Sequence, residues 1–405
     1  MTSVATSHGA SPRSFRKEAL ILGLVSLAGP LAMNMYVPAF PEMARALETT
    51  SAAIQLSLTS YLAALAVGQN IFGPVSDRFG RKPALYAGLL LFVVASIGAS
   101  LAVAVEQLIV WRFLQGIGAC AAMAVPRALI RDRYTGSTAA RMMSLMVLVI
   151  SIGPLMSPMA GTALVGIYGW TSIFWFLTAA GVLALTLVVT QIPETLPVAR
   201  RVSGMATLRS YGLLLLDRSF ICAALMIGFA QATFFAYVSG SPFVFMTIHE
   251  LTPLEFSIVF GFAAVVWAGS AQLSGPLMDR FGALRLLGCC VSANAVFTSA
   301  LLVAGLLDLG GMLMLILGVA MVFASLGILV PVGTVTALHA HGAAAGSASA
   351  ILGTAGFAAG ALASIVVAAT ADGTDLPMLG TMTACALLSA AAASVALKAR
   401  PTDDG

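Results

Sequence analysis

Hydrophobic residues run along this chain in long blocks. They show neither the two-residue alternation of a half-buried strand nor the narrow stripe of a soluble amphipathic helix. Stretches free of Asp, Glu, Lys and Arg cover 19–41, 49–76, 83–105, 142–193, 219–249, 256–278, 286–307, 309–371 and 376–397. A helix that crosses a bilayer needs about 20 mainly apolar residues. Seven of these nine blocks are one helix long. The block 142–193 has 52 residues and breaks at a turn-like segment over 166–172, and the block 309–371 has 63 and breaks near 338–342. One further helix, over 107–127, holds a single charge, Arg112, before it ends on Arg127. The pattern predicts twelve membrane-spanning helices and an all-α polytopic membrane protein.

The charges between the blocks test that count. Twelve spans return both termini to one side, and basic residues concentrate on the cytoplasmic side of membrane proteins. Arg13, Arg16, Lys17, Arg78, Arg81, Lys82, Arg127, Arg131, Arg133, Arg141, Arg200, Arg201, Arg209, Arg218, Arg280, Arg285, Lys398 and Arg400 fall on the terminal side, which is 18 of 20 basic residues. Only Arg45 falls opposite. A missed or invented helix would scramble this split, so it supports cytoplasmic termini.

Composition then removes whole classes of function. The chain is 60% hydrophobic and 9% charged, against roughly 25% charged in soluble domains. A soluble enzyme and a nucleic-acid binder are excluded, and the net charge of +4 needs no polyanionic partner. Cys120, Cys222, Cys289, Cys290 and Cys385 all lie in apolar stretches without metal-ligand spacing, so neither disulfides nor a metal site is expected. His8, His249, His339 and His341 sit at loops or span ends, no catalytic set shares a depth, and no phosphate-binding loop occurs. Neither enzymatic activity, nor a cofactor, nor ATP is expected.

A repeat divides the chain. Gly73-Pro74-Val75-Ser76-Asp77-Arg78-Phe79-Gly80-Arg81-Lys82 follows the second span, and Gly275-Pro276-Leu277-Met278-Asp279-Arg280-Phe281-Gly282 follows the eighth, with six identities at one offset of 202. Internal repeats of this kind build many secondary transporters, with the substrate site between the halves near the midplane. The expected organisation is a cytoplasmic tail 1–18, a six-helix half 19–191, a cytoplasmic linker 192–218, a second six-helix half 219–398 and a tail 399–405.

The loop at Gly73, Asp77, Arg78, Gly80 and Arg81 resembles the signature loop of the major facilitator superfamily. Pro38-Ala39-Phe40-Pro41 is similar to its first-helix element. Leu108, Arg112, Gln115, Gly116, Gly118 and Ala119 match its fourth-helix motif, and Gly153, Pro154, Pro158 and Gly161 its exporter motif on helix five. With Gly346, Ala348, Ser349 and Ala350 opening helix eleven, the chain over 19–398 resembles the bicyclomycin/chloramphenicol-resistance branch of the twelve-helix drug:proton antiporters. The resemblance implies alternating access and proton-driven export of small drug-like molecules from a bacterial cytoplasm. It also implies that Asp77, with Asp279, Arg280 and Gly282 as its repeat, braces an inner gate. The N-terminus of helix eleven, near 342–347, is the expected partner of Asp77 in an outward-open state.

Arg112 is the one charge predicted inside a span, so it should face protein or water. Arg112, Gln115 and Ala119 share a helix face. Depth estimates put Arg112 and Asn34 about 9 and 12 Å from the far end, close enough to meet. Pro30 and Pro38 flank Asn34 and should distort helix one. Family members often have an aspartate where Asn34 stands, and an amide cannot titrate. None of the 16 acidic residues falls at mid-membrane. If a proton is carried, Glu255 and then Asp77 are the candidates. Tyr61, Gln231, Phe234 and Tyr237 join Asn34, Arg112 and Gln115 as candidate cavity residues, since aromatic side chains with a few polar groups suit a permissive pocket.

The expected partners are a small-molecule substrate, protons and the lipid bilayer, with the chain a monomer. Two alternatives stay open: a specific metabolite or sugar exporter or facilitator without proton coupling, and a non-transporting receptor or scaffold.

Overall fold

The computed structural model describes residues 12–196, 204–309, 311–339 and 345–398. Among them every regular element is helical. The first span is broken rather than continuous. α1 (Pro12–Asn34) stops at Asn34, a turn of 3-10 helix follows over Val37–Ala39, and α2 (Phe40–Ala46) completes the crossing. The cause is local: Pro38 has no N–H to give the Asn34 carbonyl four residues back, and the residue before a proline disfavours helix.

The rest of the first half is α3 (Ser51–Phe79), α4 (Arg81–Ser100), α5 (Val105–Arg133), α6 (Gly136–Tyr168) and α7 (Thr171–Gln191). A short α8 (Gly204–Leu216) lies in the linker. The second half is α9 (Arg218–Pro242) with a π turn over Phe243–Ile248, α10 (Pro253–Phe281), α11 (Ala283–Leu306), α12 (Gly311–His339), α13 (Ala345–Ala369) and α14 (Leu376–Lys398). Twelve of these stretches, the first counted through its break, are long and apolar enough to cross a membrane.

One boundary changes the charge map. The fourth span was expected over 107–127, but α5 continues to Arg133. Arg127, Arg131 and Arg133, counted as loop charges, are therefore helical. The break expected near 338–342 falls partly on 340–344, outside the described residues, as do both outermost tails and 197–203 of the linker.

Gly80 and Gly282 close the two repeated turns with φ of 108° and 77°. Those values suit glycine because a Cβ would be strained there. In each turn the glycine N–H reaches back to the fourth residue before it, Ser76 or Met278. Arg78 and Arg280 lie 5.3 and 5.2 Å from the rings of Phe79 and Phe281. The repeat is thus structural as well as written in the chain. These turns, the start of α1 and the end of α14 lie at one end of the bundle, here the terminal end.

Within the first half α1 packs on α6, α3 on α5, and α4 on α5 and α7; within the second, α9 packs on α13 and α14, and α10 on α12. Two helix pairs join the halves, α3 with α13 and α6 with α10. The outer faces carry bare hydrocarbon, such as Leu148 at 62%, Val296 at 62% and Leu313 at 67% exposure, as a surface facing lipid must.

Candidate functional site

The break in the first span positions the most unusual group in the molecule. Tyr36, at the break, and Tyr61, on α3, hold the Arg112 guanidinium between their rings, each centroid 4.2 Å from its carbon, with Phe174 of α7 at 5.9 Å. Arg112 is fully buried. Its Nη1 donates to Gln115 Oε1, Gln115 Nε2 donates to Ser96 Oγ at 2.7 Å, and Ser96 Oγ donates to the Phe92 carbonyl at 2.7 Å. The Tyr61 hydroxyl donates to the Gly29 carbonyl at 2.9 Å, and the Tyr36 hydroxyl pairs with Ser57 Oγ at 3.3 Å. Nε and Nη2 of Arg112 have no partner, and no carboxylate lies in the cluster.

Tyr61, Arg112 and Gln115 therefore come together, inside the first half rather than between halves. The expected pairing of Arg112 with Asn34 does not form. Asn34 Nδ2 back-bonds to the Pro30 carbonyl at 2.9 Å, capping the last turn of α1, and its Oδ1 is buried without a partner. Gln231, Phe234 and Tyr237 form a separate set on α9. Phe234 packs against Phe235, Trp267 and Phe323, and Tyr237 against Phe245, Phe260 and Phe323. Gln231 lies against Gly356 of α13, where a Cβ would come within 2.8 Å of its amide.

At the terminal end Arg81 is the hub. It pairs with Asp77 one turn back, with Asp132 of α5 at 2.8 Å, and donates to Ser76 Oγ at 2.8 Å. Glu194, which the sequence offered no reason to select, caps α4 by accepting from the N–H groups of Arg81 and Lys82 at 3.1 and 3.0 Å. Among the described residues Asp77 thus finds its ion-pair partner within its own half, and part of its expected partner at the start of helix eleven, 342–344, lies outside them. The second half lacks this network: Ala283 stands where Arg81 does, and neither Asp279 nor Arg280 forms an ion pair among the described residues. Partial burial raises the Glu194 pKa, but the N–H groups of Leu196, Lys82, Arg81 and Thr195 outweigh it and hold it below 4.5. A depressed carboxylate contributes stability above its unfolded pKa and loses it as pH falls through the folded one. Glu194→Ala should lower stability at neutral pH by about 1 kcal/mol, the usual value of a helix cap. In thermal melts the gap from wild type should close as pH falls below 4.5.

Glu255 lies in the first turn of α10. Its carboxylate accepts from the Thr252 N–H at 2.9 Å and hydroxyl at 2.8 Å, a capping box that starts α10. The exporter motif packs within the first half. Gly153 faces Leu27 and Pro30 of α1, and Gly161 lies directly on the Met35 carbonyl at the helix break. Gly161→Ala would drive a methyl group into that backbone and displace the Tyr36 side of the cluster. Overpacking of about 1–3 kcal/mol is expected, with a lower melting temperature and reduced transport. Gly166→Ala, which meets open space, is the matched control in a melt and an efflux assay.

The opposite end is closed between halves by neutral groups. Thr162 Oγ1 of α6 lies 2.8 Å from Ser257 Oγ of α10, and Leu155 approaches Gly261. Thr59 Oγ1 of α3 donates to Ser364 Oγ of α13 at 2.7 Å, and Ser364 pairs with Ser239 of α9 at 2.9 Å. The Val37–Ala39 turn also packs on α9 and α10. Toward the terminal end α3 and α13 stay joined, with Asn70 Nδ2 donating to Thr354 Oγ1 at 2.7 Å. On α10, by contrast, Gly269 and Gly275 face open space. All three ion pairs among the described residues lie within the first half. Serines and threonines are too common in helices for this seam to stand out in the sequence.

Known proteins agree with this architecture. Residues 22–364 match the model of the Major Facilitator Superfamily. An uncharacterized MFS-type transporter, YdgK of Bacillus subtilis (strain 168), is 35% identical over 383 residues, covering 92% of this chain and 94% of its own. The bicyclomycin resistance protein homolog of Haemophilus influenzae is 29% identical over 91% of this chain and 93% of its own, and the chloramphenicol resistance protein of Pseudomonas aeruginosa 34% identical over 70% and 68%. Among solved structures, the partially occluded inward-open xylose transporter XylE from E. coli superposes with a TM-score of 0.72 over 96% of this chain and 98% of its own, at 16% identity, a likeness of fold alone. The chain belongs to the Major Facilitator Superfamily and is a membrane transporter of small molecules.

Proposed function

We propose that this transporter exports small amphipathic, drug-like molecules of the chloramphenicol or bicyclomycin kind by alternating access across a bacterial cytoplasmic membrane. Its termini and both repeated turns then lie in the cytoplasm, and it acts as a monomer. The observation that carries this reading is the neutral seam Thr162–Ser257 and Thr59–Ser364, which joins the two halves through hydroxyl pairs without any ion pair between them among the described residues. Hydrogen bonds of this kind contribute about 1 kcal/mol each, so the seam can open on a working timescale. The names of the relatives supply the substrate class. In this reading Asn34, Tyr61, Arg112, Gln115, Gln231, Phe234 and Tyr237 line or support the transport path, and the Asp77–Arg81 turn holds the inner end of the first half together.

Export against a gradient calls for a coupling ion, and the proton is the proposed one, with Glu255 and then Asp77 as carriers. A second reading, an uncoupled facilitator, is favoured by one observation: Asn34 is an amide, and every described acid lies in a loop or near a helix end. Proteoliposomes loaded with chloramphenicol and given a pH gradient decide between them. Antiport predicts gradient-driven efflux with proton entry; a facilitator gives efflux indifferent to pH; a scaffold moves no compound.

A further inference from the structure

Both charges within the body of the spans are positive. Arg112 is one. The other is Arg127, six residues before the end of α5 and so about 9 Å inside it. Arg127 follows Cys120 and Met123 on one face of α5, and those two pack against Gly68 of α3 and Gly29 of α1. Its side chain is therefore directed between α1 and α3. Arg127 is nonetheless exposed, so its guanidinium is open to whatever enters between those helices.

Among the described residues of the first half no carboxylate is left to neutralise it. At this end of the first half Asp77 and Asp132 are taken by Arg81, Glu18 by Arg133 and Tyr134, and Glu194 by the cap of α4. Arg127 itself has no hydrogen bond or ion pair among the described residues, and Arg131, one turn further on, adds a second exposed cation. An uncompensated charge in a narrow, low-dielectric path acts strongly on whatever enters it. A guanidinium also offers paired donors to a carboxylate, sulfonate or nitro group.

We infer that the transported class is neutral and anionic amphiphiles, that Arg127 is the group that recognises the anion, and that lipophilic cations are rejected. This rests on the proposed transport function and narrows it. The test uses an isosteric pair, naphthalene-2-sulfonate and 2-naphthyltrimethylammonium. Binding to the full-length protein in nanodiscs of zwitterionic lipid is measured by calorimetry. Wild type should bind the sulfonate at least about tenfold more tightly. Arg127→Lys keeps the charge and should keep most of that preference, whereas Arg127→Gln should lower it about tenfold. Equal affinities for the pair in wild type, or an unchanged preference in Arg127→Gln, overturn the inference and leave Arg127 a residue of topology alone. Chloramphenicol efflux from proteoliposomes of the same preparations separates the two levels. Efflux with equal binding of the pair removes the charge selection only. A binding preference without efflux of any probe supports the anion site and overturns the transport reading beneath it.

Discussion

Arg112→Met is expected to abolish efflux while leaving the folded protein as stable as wild type or more so. The expectation follows from an imbalance in the cluster. Two rings at 4.2 Å supply a cation–π attraction of about 1–2 kcal/mol each in a dry site, and one amide accepts a hydrogen bond. Against this stand a fully buried cation without a counter-ion and two donor nitrogens without acceptors. Desolvating an ion costs several kcal/mol, and replacing buried ionic groups by well-packed apolar ones is often neutral or stabilising. Methionine fills much the same volume between Tyr36 and Tyr61 and adapts its shape. A residue kept at a loss to stability points to function. Arg112→Lys should also fail, because a compact ammonium cannot stack flat between two rings. Thermal melts and efflux measured on one preparation check both halves of the expectation. A methionine variant that melts far below wild type would mark Arg112 as structural.

How much of this was legible depended on the kind of signal. Charge gaps in the sequence located eleven of the twelve spans, because a bilayer excludes ionised groups over a fixed length, and the fourth was read despite Arg112. The repeated Asp-Arg-Phe-Gly located both glycine turns, because a positive φ is tied to residue type. Arg112 was legible as a lone charge, and its bond to Gln115 as a three-residue spacing. Its ring partners were not, since Tyr36 reaches it only after Pro38 has broken the helix. Asn34 was misjudged for the same reason: a helix end gives its amide a carbonyl nearby, and Arg112 goes unpaired by it. Arg127 was hidden by its neighbours Arg131 and Arg133, which made it look like one more topological charge until α5 proved to extend through all three.

The second large effect concerns the seam. Thr162→Cys with Ser257→Cys, in a chain whose five native cysteines are replaced by alanine, should crosslink readily on oxidation, since the native hydroxyl oxygens stand 2.8 Å apart. A covalent bond there ties α6 to α10 at the end opposite the termini. In an alternating-access exporter that end must part in every cycle, so the crosslink should stop transport completely rather than slow it. The pair is preferable to Thr59 with Ser364, because α3 and α13 also touch toward the terminal end at Asn70 and Thr354 and could tolerate a tether.

Chloramphenicol efflux from proteoliposomes of this double-cysteine protein, recorded after oxidation and again after reduction, bears most directly on the account. Efflux absent when oxidised and restored when reduced is the predicted result. Equal efflux in both states, with the crosslink verified by mass spectrometry, would contradict alternating access through this seam.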